Sequence, residues 1–363
     1  MYIKVRDLQE GMIVQEDVMG MTNYPIIPKN TALTNLHIKF LNSFLIKGID
    51  VFSGEGAGTD AAIPVENTIE EESPETVSLL LSKDHFIEMY SHSVECYKKE
   101  FQKWQSGMGI DIIKIREIIV PLAEYVIKHT EKLADLQNYS TKTDYLFHHA
   151  VSVGLLSAAI ADKQKRSKGE VIQAALAGVL ADCGMSKVNP SVLTKTSPLN
   201  EKEYKEMTNH PMASYNMVKE ILLLKPEAKL AVFQHHERMD GTGYLMKEKA
   251  ERIHYLSQIV AVADTYHAMT SERLYRNREA SFKVLEMIRE DLFGKFDIKT
   301  VDALISLLAA FSLGTKVKLS NQEVGTVMFI KQQHPTRPLV NIEGEGTIDL
   351  EKRRDIYIEA ILK

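Results

Sequence analysis

His235-His236-Glu237-Arg238-Met239-Asp240-Gly241-Thr242-Gly243-Tyr244 sets two adjacent imidazoles, an acid and a glycine-rich turn ending on an aromatic ring side by side. Neutral imidazole is the commonest side-chain metal ligand near neutral pH. Taken alone, the stretch fits a polar helix end running into a surface turn equally well. The decision rests on whether ligands elsewhere in the chain converge on it.

The chain has 363 residues, 44% hydrophobic and 26% charged, an ordinary soluble composition long enough for two or three domains. A net charge of -5 argues against a surface built to hold a nucleic-acid polymer. Cys96 and Cys183 are the two cysteines, so neither a disulfide framework nor a thiolate cage is expected, and any metal must use His and carboxylates. No signal peptide or apolar run of membrane-spanning length is read, and a cytoplasmic protein is expected.

Residues 1–53 read as a small α/β module. Val5, Leu8, Met12, Val14 and Val18 suit short strands, Thr34 to Phe44 a short helix, and Gly48 to Phe52 a last strand. Residues 54–82, with Gly54, Gly56, Gly58, Pro64, Pro74 and Glu70-Glu71-Glu72, read as an acidic flexible linker. Residues 83–312 are expected to be all-α. Phe86, Tyr90, Val94, Tyr97, Phe101 and Trp104 form one apolar stripe, for the core or for pairing two copies of the 84–104 helix in a homodimer. Pro121 should kink or restart the next helix, whose period runs from Ile115 to Leu133. Further helices are read over 143–163, 170–182, 200–210, 226–237, 254–270, 280–292 and 300–310. Asn200 and Glu203 are spaced as a capping box, and Pro226 stands in a first turn. Residues 313–363 carry strand formers around Ser320 and Asn321 and read as a small β-rich module. The fold class is therefore mainly α: a helical bundle flanked by small β-rich N- and C-terminal modules.

Several polar residues fall where apolar ones are expected. His149 lies on the buried stripe of its helix, Asp182 ends a helix of Ala, Leu, Val and Gly, and Asp264 follows Ile259-Val260-Ala261-Val262-Ala263. His210 stands at a helix end before Pro211. One buried His is usually a satisfied core residue, and one buried Asp a cap or ion-pair member. Together with His235 and His236 they are better explained by one shared cation site, because buried charge needs a partner.

In this order, His149, Asp182-Cys183-Gly184, His210-Pro211, the 235–244 stretch and Val262-Ala263-Asp264 resemble the HD-GYP family, the branch of HD phosphohydrolases associated with cyclic di-GMP hydrolysis. Leu193-Thr194-Lys195, Glu201 to Glu203 and Thr270 to Arg276 extend the likeness, which covers about residues 140–311. The resemblance implies an HD-type bundle with iron or manganese between its helices. It implies metal ligation by His210, His235, His236 and a bridging Asp182, and by His149, Asp264 and Asp182. It assigns Asp182, Glu237 and Asp240 to catalysis, and Tyr244, Lys195, Arg273 and Arg276 to the nucleotide.

The sequence departs from the family within the chemistry. Ala181 replaces the histidine of the His-Asp pair, Met185 the phosphate-facing lysine, Leu245 the proline after Gly-Tyr, and Gln258 an arginine. Tyr145 stands for an acid and speaks against a third metal. His148 should point about 100° away from His149 and not replace a ligand. Two functions remain open: a binder of cyclic di-GMP, a related cyclic dinucleotide or a signalling protein, with one metal or none and little hydrolysis; or a working phosphodiesterase with an altered site holding one or two ions. An unrelated all-α scaffold is the third alternative.

Overall fold

The computed structural model describes residues 1–19, 25–27, 29–33, 37–38, 41, 46–52, 74–273, 277–309, 311–344 and 346–362. It divides into two compact units, Met1–Asp84 and His85–Lys363. In the first, β1 (Tyr2–Lys4) pairs antiparallel with β4 (Gly48–Asp50), and β2 (Val18–Met19) with β3 (Pro25–Ile27). Val5, Leu8, Val14, Val18, Ile27, Leu33, Leu41, Ile49 and Val51 form its own core. Most of the helix expected at 34–44, and residues 54–73 of the linker expected over 54–82, lie outside the described residues.

The chain is already helical from Pro74, earlier than the sequence reading. Helix α1 (Pro74–Gln105) carries Phe86, Tyr90, Val94, Tyr97, Phe101 and Trp104, all buried. These side chains pack into the core of their own chain, so the stripe offers no face for a second copy. Helix α2 (Ile112–Lys128) is capped by Asp111, which accepts from the N–H groups of Ile113 and Lys114. Pro121 does not restart the helix, which runs through it and ends at Lys128. Ile119 and Leu122, both buried, anchor the turns on either side and offset the missing N–H. Leu133 belongs to a separate 3₁₀ segment, Thr130–Asp135, followed by the single turn α3 (Leu136–Tyr139).

Two helices sit at the centre. Helix α4 (Tyr145–Lys163) and α5 (Lys168–Leu180) are apolar nearly all round, as buried helices must be. Ser167 and Glu170 close a capping box at the start of α5. A 3₁₀ turn (Cys183–Lys187) and the short α6 (Pro190–Leu193) lead to α7 (Glu201–Thr208), where Asn200 and Glu203 form the expected capping box. Then follow α8 (His210–Val218), α9 (Pro226–Gln234, with Pro at its first turn), α10 (Tyr255–Thr270), α11 (Ser281–Glu286) and α12 (Ile298–Leu308).

The C-terminal residues form a five-stranded antiparallel sheet of β5 (Lys316–Leu319), β6 (Val324–Lys331), β7 (His334–Ile342), β8 (Gly346–Asp349) and β9 (Ile358–Leu362), in the order β8-β7-β6-β5-β9. Val317, Leu319, Val327, Val340 and Ile358 are buried and continue the helical core. A mainly α fold with small antiparallel sheets at both ends is what the sequence pattern implied.

One buried ion pair ties the sheet to the helices. Arg337 on β7 donates to Glu286 Oε2 on α11 at 2.6 Å and to the carbonyl of Leu350 at 2.8 Å. Burial lifts the Glu286 carboxyl above its usual range in spite of the guanidinium. Removing one member of such a pair strands the other charge in a dry environment. Glu286→Ala should therefore cost about 3 kcal/mol, read as a lowered urea midpoint.

Candidate metal centre

Asp182 occupies the point where α5 has just ended. Its backbone (φ -99°, ψ 11°) has left helical geometry, and the 3₁₀ turn begins with Cys183. The turn lies hard against α8: a Cβ built on Gly184 would meet the His210 carbonyl oxygen and the Ser214 N at 2.4 Å each. Glycine admits that approach, and Gly184 N–H donates to Ser214 Oγ at 2.8 Å. His210, the first residue of α8, is thereby set opposite the Asp182 carboxylate.

Asp182 is 8% exposed and faces imidazoles on both sides. Its Oδ1 lies 3.1 Å from His210 Nε2 and 3.5 Å from His235 Nε2. Its Oδ2 lies 3.6 Å from His149 Nε2. His149 Nε2 in turn meets Asp264 Oδ1 at 2.9 Å, and Asp264 Oδ2 lies 3.8 Å from His236 Nδ1. Two donor groups result, each with its ligand atoms within 4.8 Å of one another: Asp182, His210, His235 and His236; and His149, Asp182 and Asp264. Asp182 belongs to both. The two lie on the six residues singled out in the sequence as metal ligands.

The imidazoles are oriented by backbone carbonyls. His210 Nδ1 lies 2.8 Å from Met207 O, and His235 Nδ1 lies 2.8 Å from Val232 O. With Nδ1 as the donor, each Nε2 keeps its lone pair directed at Asp182, the arrangement that carbonyl partners impose on metal-binding histidines. The Nε2 atoms of His210 and His235 stand 3.2 Å apart. Asp182 Oδ1 is buried and receives no hydrogen bond of acceptable geometry among the described residues. A buried anionic oxygen without a donor, facing imidazole lone pairs, is the setting a divalent cation completes. The imidazole and carboxylate set suits a divalent transition-metal ion.

The electrostatics agree. Burial raises the Asp182 carboxyl, but the charge and contact of His210, with His235 and His149, carry it well below the carboxylate range. Asp264 follows the same pattern: burial opposes, and His149 and His236 pull it down. Burial alone would lower His210, yet Asp182 raises it. Burial, followed by the charge of His235, holds His236 well below its usual value.

The remaining residues named from the sequence divide. Tyr244 stacks on His236 with ring centroids 4.6 Å apart and forms one side of the centre. Glu237 is buried and its carboxylate is engaged elsewhere: it accepts from Met246 N at 2.6 Å and Glu248 N at 3.0 Å, holding the loop after the glycine-rich turn. Asp240 accepts from both N–H and hydroxyl of Thr242 on the exposed turn. Gly243 packs that turn onto His236-Glu237-Arg238, where a Cβ would meet backbone atoms at 2.5 Å. Lys195 pairs with Glu203 at 2.5 Å. Arg273 stacks over Tyr145, 4.4 Å from its ring centroid. Arg276 lies outside the described residues. His148 turns away, as helix geometry requires, to the Tyr90 hydroxyl at 3.1 Å.

The positions that depart from the family are apolar or engaged. Ala181 is buried and has no donor beyond its backbone, and Met185 packs on the core. Lys187 donates to the carbonyl of Trp104, and Gln258 to that of Ile253. The sequence reading missed His267. It is wholly buried, with Nδ1 3.1 Å from His149 Nδ1, which also contacts the Tyr145 hydroxyl at 2.9 Å. Its signal was its place one helical turn after Asp264, on the same face of α10. Arg238, also unassigned, donates to the carbonyls of His235 and Glu237 and to Thr265 Oγ1, fixing the end of α9 against α10.

Comparison with known proteins agrees with this architecture. Residues 121–299 match the HD domain family. The chain is 26% identical over 344 residues to the cyclic di-GMP phosphodiesterase PA4108 of Pseudomonas aeruginosa, covering 92% of this chain and 81% of that protein. It is 29% identical to a cyclic di-GMP phosphodiesterase of Thermotoga maritima, covering 53% of this chain and 52% of that one. It is 28% identical to the 3'3'-cGAMP-specific phosphodiesterase 3 of Vibrio cholerae, covering 45% of this chain and 35% of that one. Among solved structures, Bd1817, an HDG"Y"P protein from Bdellovibrio bacteriovorus, shares the fold with a TM-score of 0.51 at 13% identity, covering 85% of this chain and 99% of that one. No described helix is long and apolar enough to cross a membrane.

Two outcomes follow from the geometry. Gly184→Ala should push α8 away from Asp182, with a stability loss of about 1–3 kcal/mol and weakened manganese binding by calorimetry. A proton on His210 competes with a cation, and its pKa is raised above its ordinary 6.5. Manganese affinity should therefore fall as pH drops from 8 to 6, by about tenfold per pH unit for each proton displaced, with proton release visible as a buffer-dependent heat.

Proposed function

We propose that this chain, an HD-domain protein of the HD-GYP kind, binds a cyclic dinucleotide such as cyclic di-GMP over a divalent cation and hydrolyses it poorly, acting in the cytoplasm through the bound state or a signalling partner. The observation that carries this reading is the inequality of the two donor groups around Asp182. The group with His210, His235 and His236 has four side-chain donors; the group with His149 and Asp264 has three, of which His149 and Asp264 already contact each other at 2.9 Å.

Asp182, His210, His235 and His236 would hold a divalent cation, which when bound would supply Lewis acidity toward a phosphate oxygen. Around it the chain's own residues set the limits. Asp182 directs one oxygen to each donor group, so its position governs both. Tyr244 and His236, stacked, give the ligand a flat aromatic wall. The Glu237 carboxylate fixes the loop that carries Leu245 and Met246 by binding Met246 and Glu248 N–H groups. Ala181 adds no donor to the weaker group and Met185 adds no charge to meet a phosphate. Each lost electrostatic contact to a developing charge costs on the order of 10²–10³ in rate. The curated relatives, named for hydrolysis of cyclic di-GMP or 3'3'-cGAMP, support the ligand class.

The second reading, a working phosphodiesterase, is favoured by the closeness of the ligand atoms of His149, Asp182 and Asp264. Turnover of cyclic di-GMP and 3'3'-cGAMP with manganese or iron, beside elemental analysis and calorimetric binding, separates the two. Metal-dependent binding with little turnover is expected, and the pair Ala181→His with Met185→Lys should raise turnover at least about tenfold. Robust wild-type turnover abolished by His235→Ala would establish the enzyme instead. A protein that takes up no metal would sink both.

A further inference from the structure

A concavity of about 490 Å³ is lined by Lys202, Lys205, Glu206, Thr208, Asn209 and Leu245. Its size is within the range of small-ligand sites, roughly 300–1,000 Å³. Lys202, Lys205, Glu206 and Asn209 follow one another at three, four and seven residues and so share a face of α7 and its end. Two of the lining residues are chain neighbours of the metal centre: Asn209 is followed directly by His210, and Leu245 follows Tyr244, whose ring lies on His236.

The charge of the pocket is biased toward anions. Neither Lys202 nor Lys205 has an ion pair among the described residues, whereas the neighbouring Lys195 is committed to Glu203. Glu206 is the one acid on the wall, and its Oε1 accepts from Asn189 N–H at 2.8 Å. Thr208 and Asn209 add hydrogen-bonding capacity. Leu245 gives an apolar wall suited to the face of a base or sugar. Met185 places no cation in the metal centre, and Lys202 and Lys205 bring two to this pocket.

We propose that this pocket is a subsite for the distal half of the ligand, with Lys202 and Lys205 meeting a second phosphodiester while the first sits at the metal centre. This rests on the reading of the centre as a cyclic-dinucleotide site. It adds that selection for a ligand with two separated phosphates, over one with a single phosphate, is made by α7 and Leu245. Lysine–phosphate contacts are point-charge contacts, so their contribution should weaken with added salt.

The test uses the full chain loaded with manganese, with cyclic di-GMP and GMP as probes in calorimetry. Lys202→Glu with Lys205→Glu should weaken cyclic di-GMP by at least tenfold and GMP by less than threefold, and remove most of the salt dependence. Manganese affinity should stay unchanged, as it depends on residues outside the pocket. The charge-matched control, Lys163→Glu with Lys165→Glu, should leave both nucleotides unaffected. Circular dichroism confirms that each variant is folded. If cyclic di-GMP binds the reversed variant as it binds wild type, or if GMP weakens equally, the subsite is overturned and the metal-centre reading stands. If wild type binds neither cyclic di-GMP nor 3'3'-cGAMP, the parent reading fails, and the subsite with it.

Discussion

A carboxylate that is 8% exposed, with imidazole nitrogens near both of its oxygens, sets the terms for the rest of this structure. Asp182 cannot be left there as an isolated charge, because desolvating a carboxylate costs several kcal/mol even after relaxation. It is stabilised by histidines that arrive from different helices, and those helices must therefore be held in register. The apolar faces of α4, α5 and α10 do that work. Their buried Ala, Val, Leu and Ile side chains leave few ways to repack, so the polar groups embedded among them are fixed as well. The site is a polar seam whose geometry is imposed by an apolar core.

Local chemistry then refines the seam. Each Nδ1 of His210 and His235 finds a carbonyl three residues back in the chain, so ring orientation is settled without help from a ligand. The Glu237 carboxylate serves the following loop, and Arg238 ties the end of α9 to α10 through carbonyls and Thr265. The conspicuous stretch from His235 to Tyr244 is thus divided by task. Its histidines face the centre, its acid and arginine hold the loop and helix end, its glycines allow close packing, and its tyrosine stacks on His236.

Much of this was legible in the sequence. His149 and Asp264 stood out because they interrupt apolar periodicity, and such interruptions carry a cost that must be met somewhere. Capping boxes at Ser167 and Asn200 marked helix starts, the second read from its spacing in advance. What could not be read depends on tertiary context. Pro121 looks like a break, but buried Ile119 and Leu122 keep the helix intact around it. The aromatic stripe of α1 fits a core or a second subunit equally well until the residues opposite it are known. That the Glu237 carboxylate accepts from two backbone N–H groups depends on the position of the following loop, which no local pattern encodes. His267 shares a face of its helix with Asp264, but that spacing carries weight only once His149 is known to lie against it. The return of β9 to β5, across the sheet from β8, is likewise a matter of topology that strand propensity does not encode.

The two sides of Asp182 also differ in how they are buttressed. On the His210 and His235 side, the partners of Nδ1 are carbonyls, which can only accept, so each imidazole, when neutral, keeps its Nε2 lone pair toward the carboxylate. On the His149 side, Nδ1 faces a hydroxyl and another imidazole, both able to donate or accept. The tautomer there is not dictated, and the Nε2 can donate to Asp264 at 2.9 Å as readily as it can present a lone pair. A ring free to satisfy Asp264 by itself has less need of a cation than one locked with its lone pair inward. Ala181 contributes no donor to this side, where His149 and Asp264 already contact each other at 2.9 Å. That difference in hydrogen-bonding obligation, rather than the number of histidines, is the physical basis for expecting the two halves of the centre to bind metal unequally.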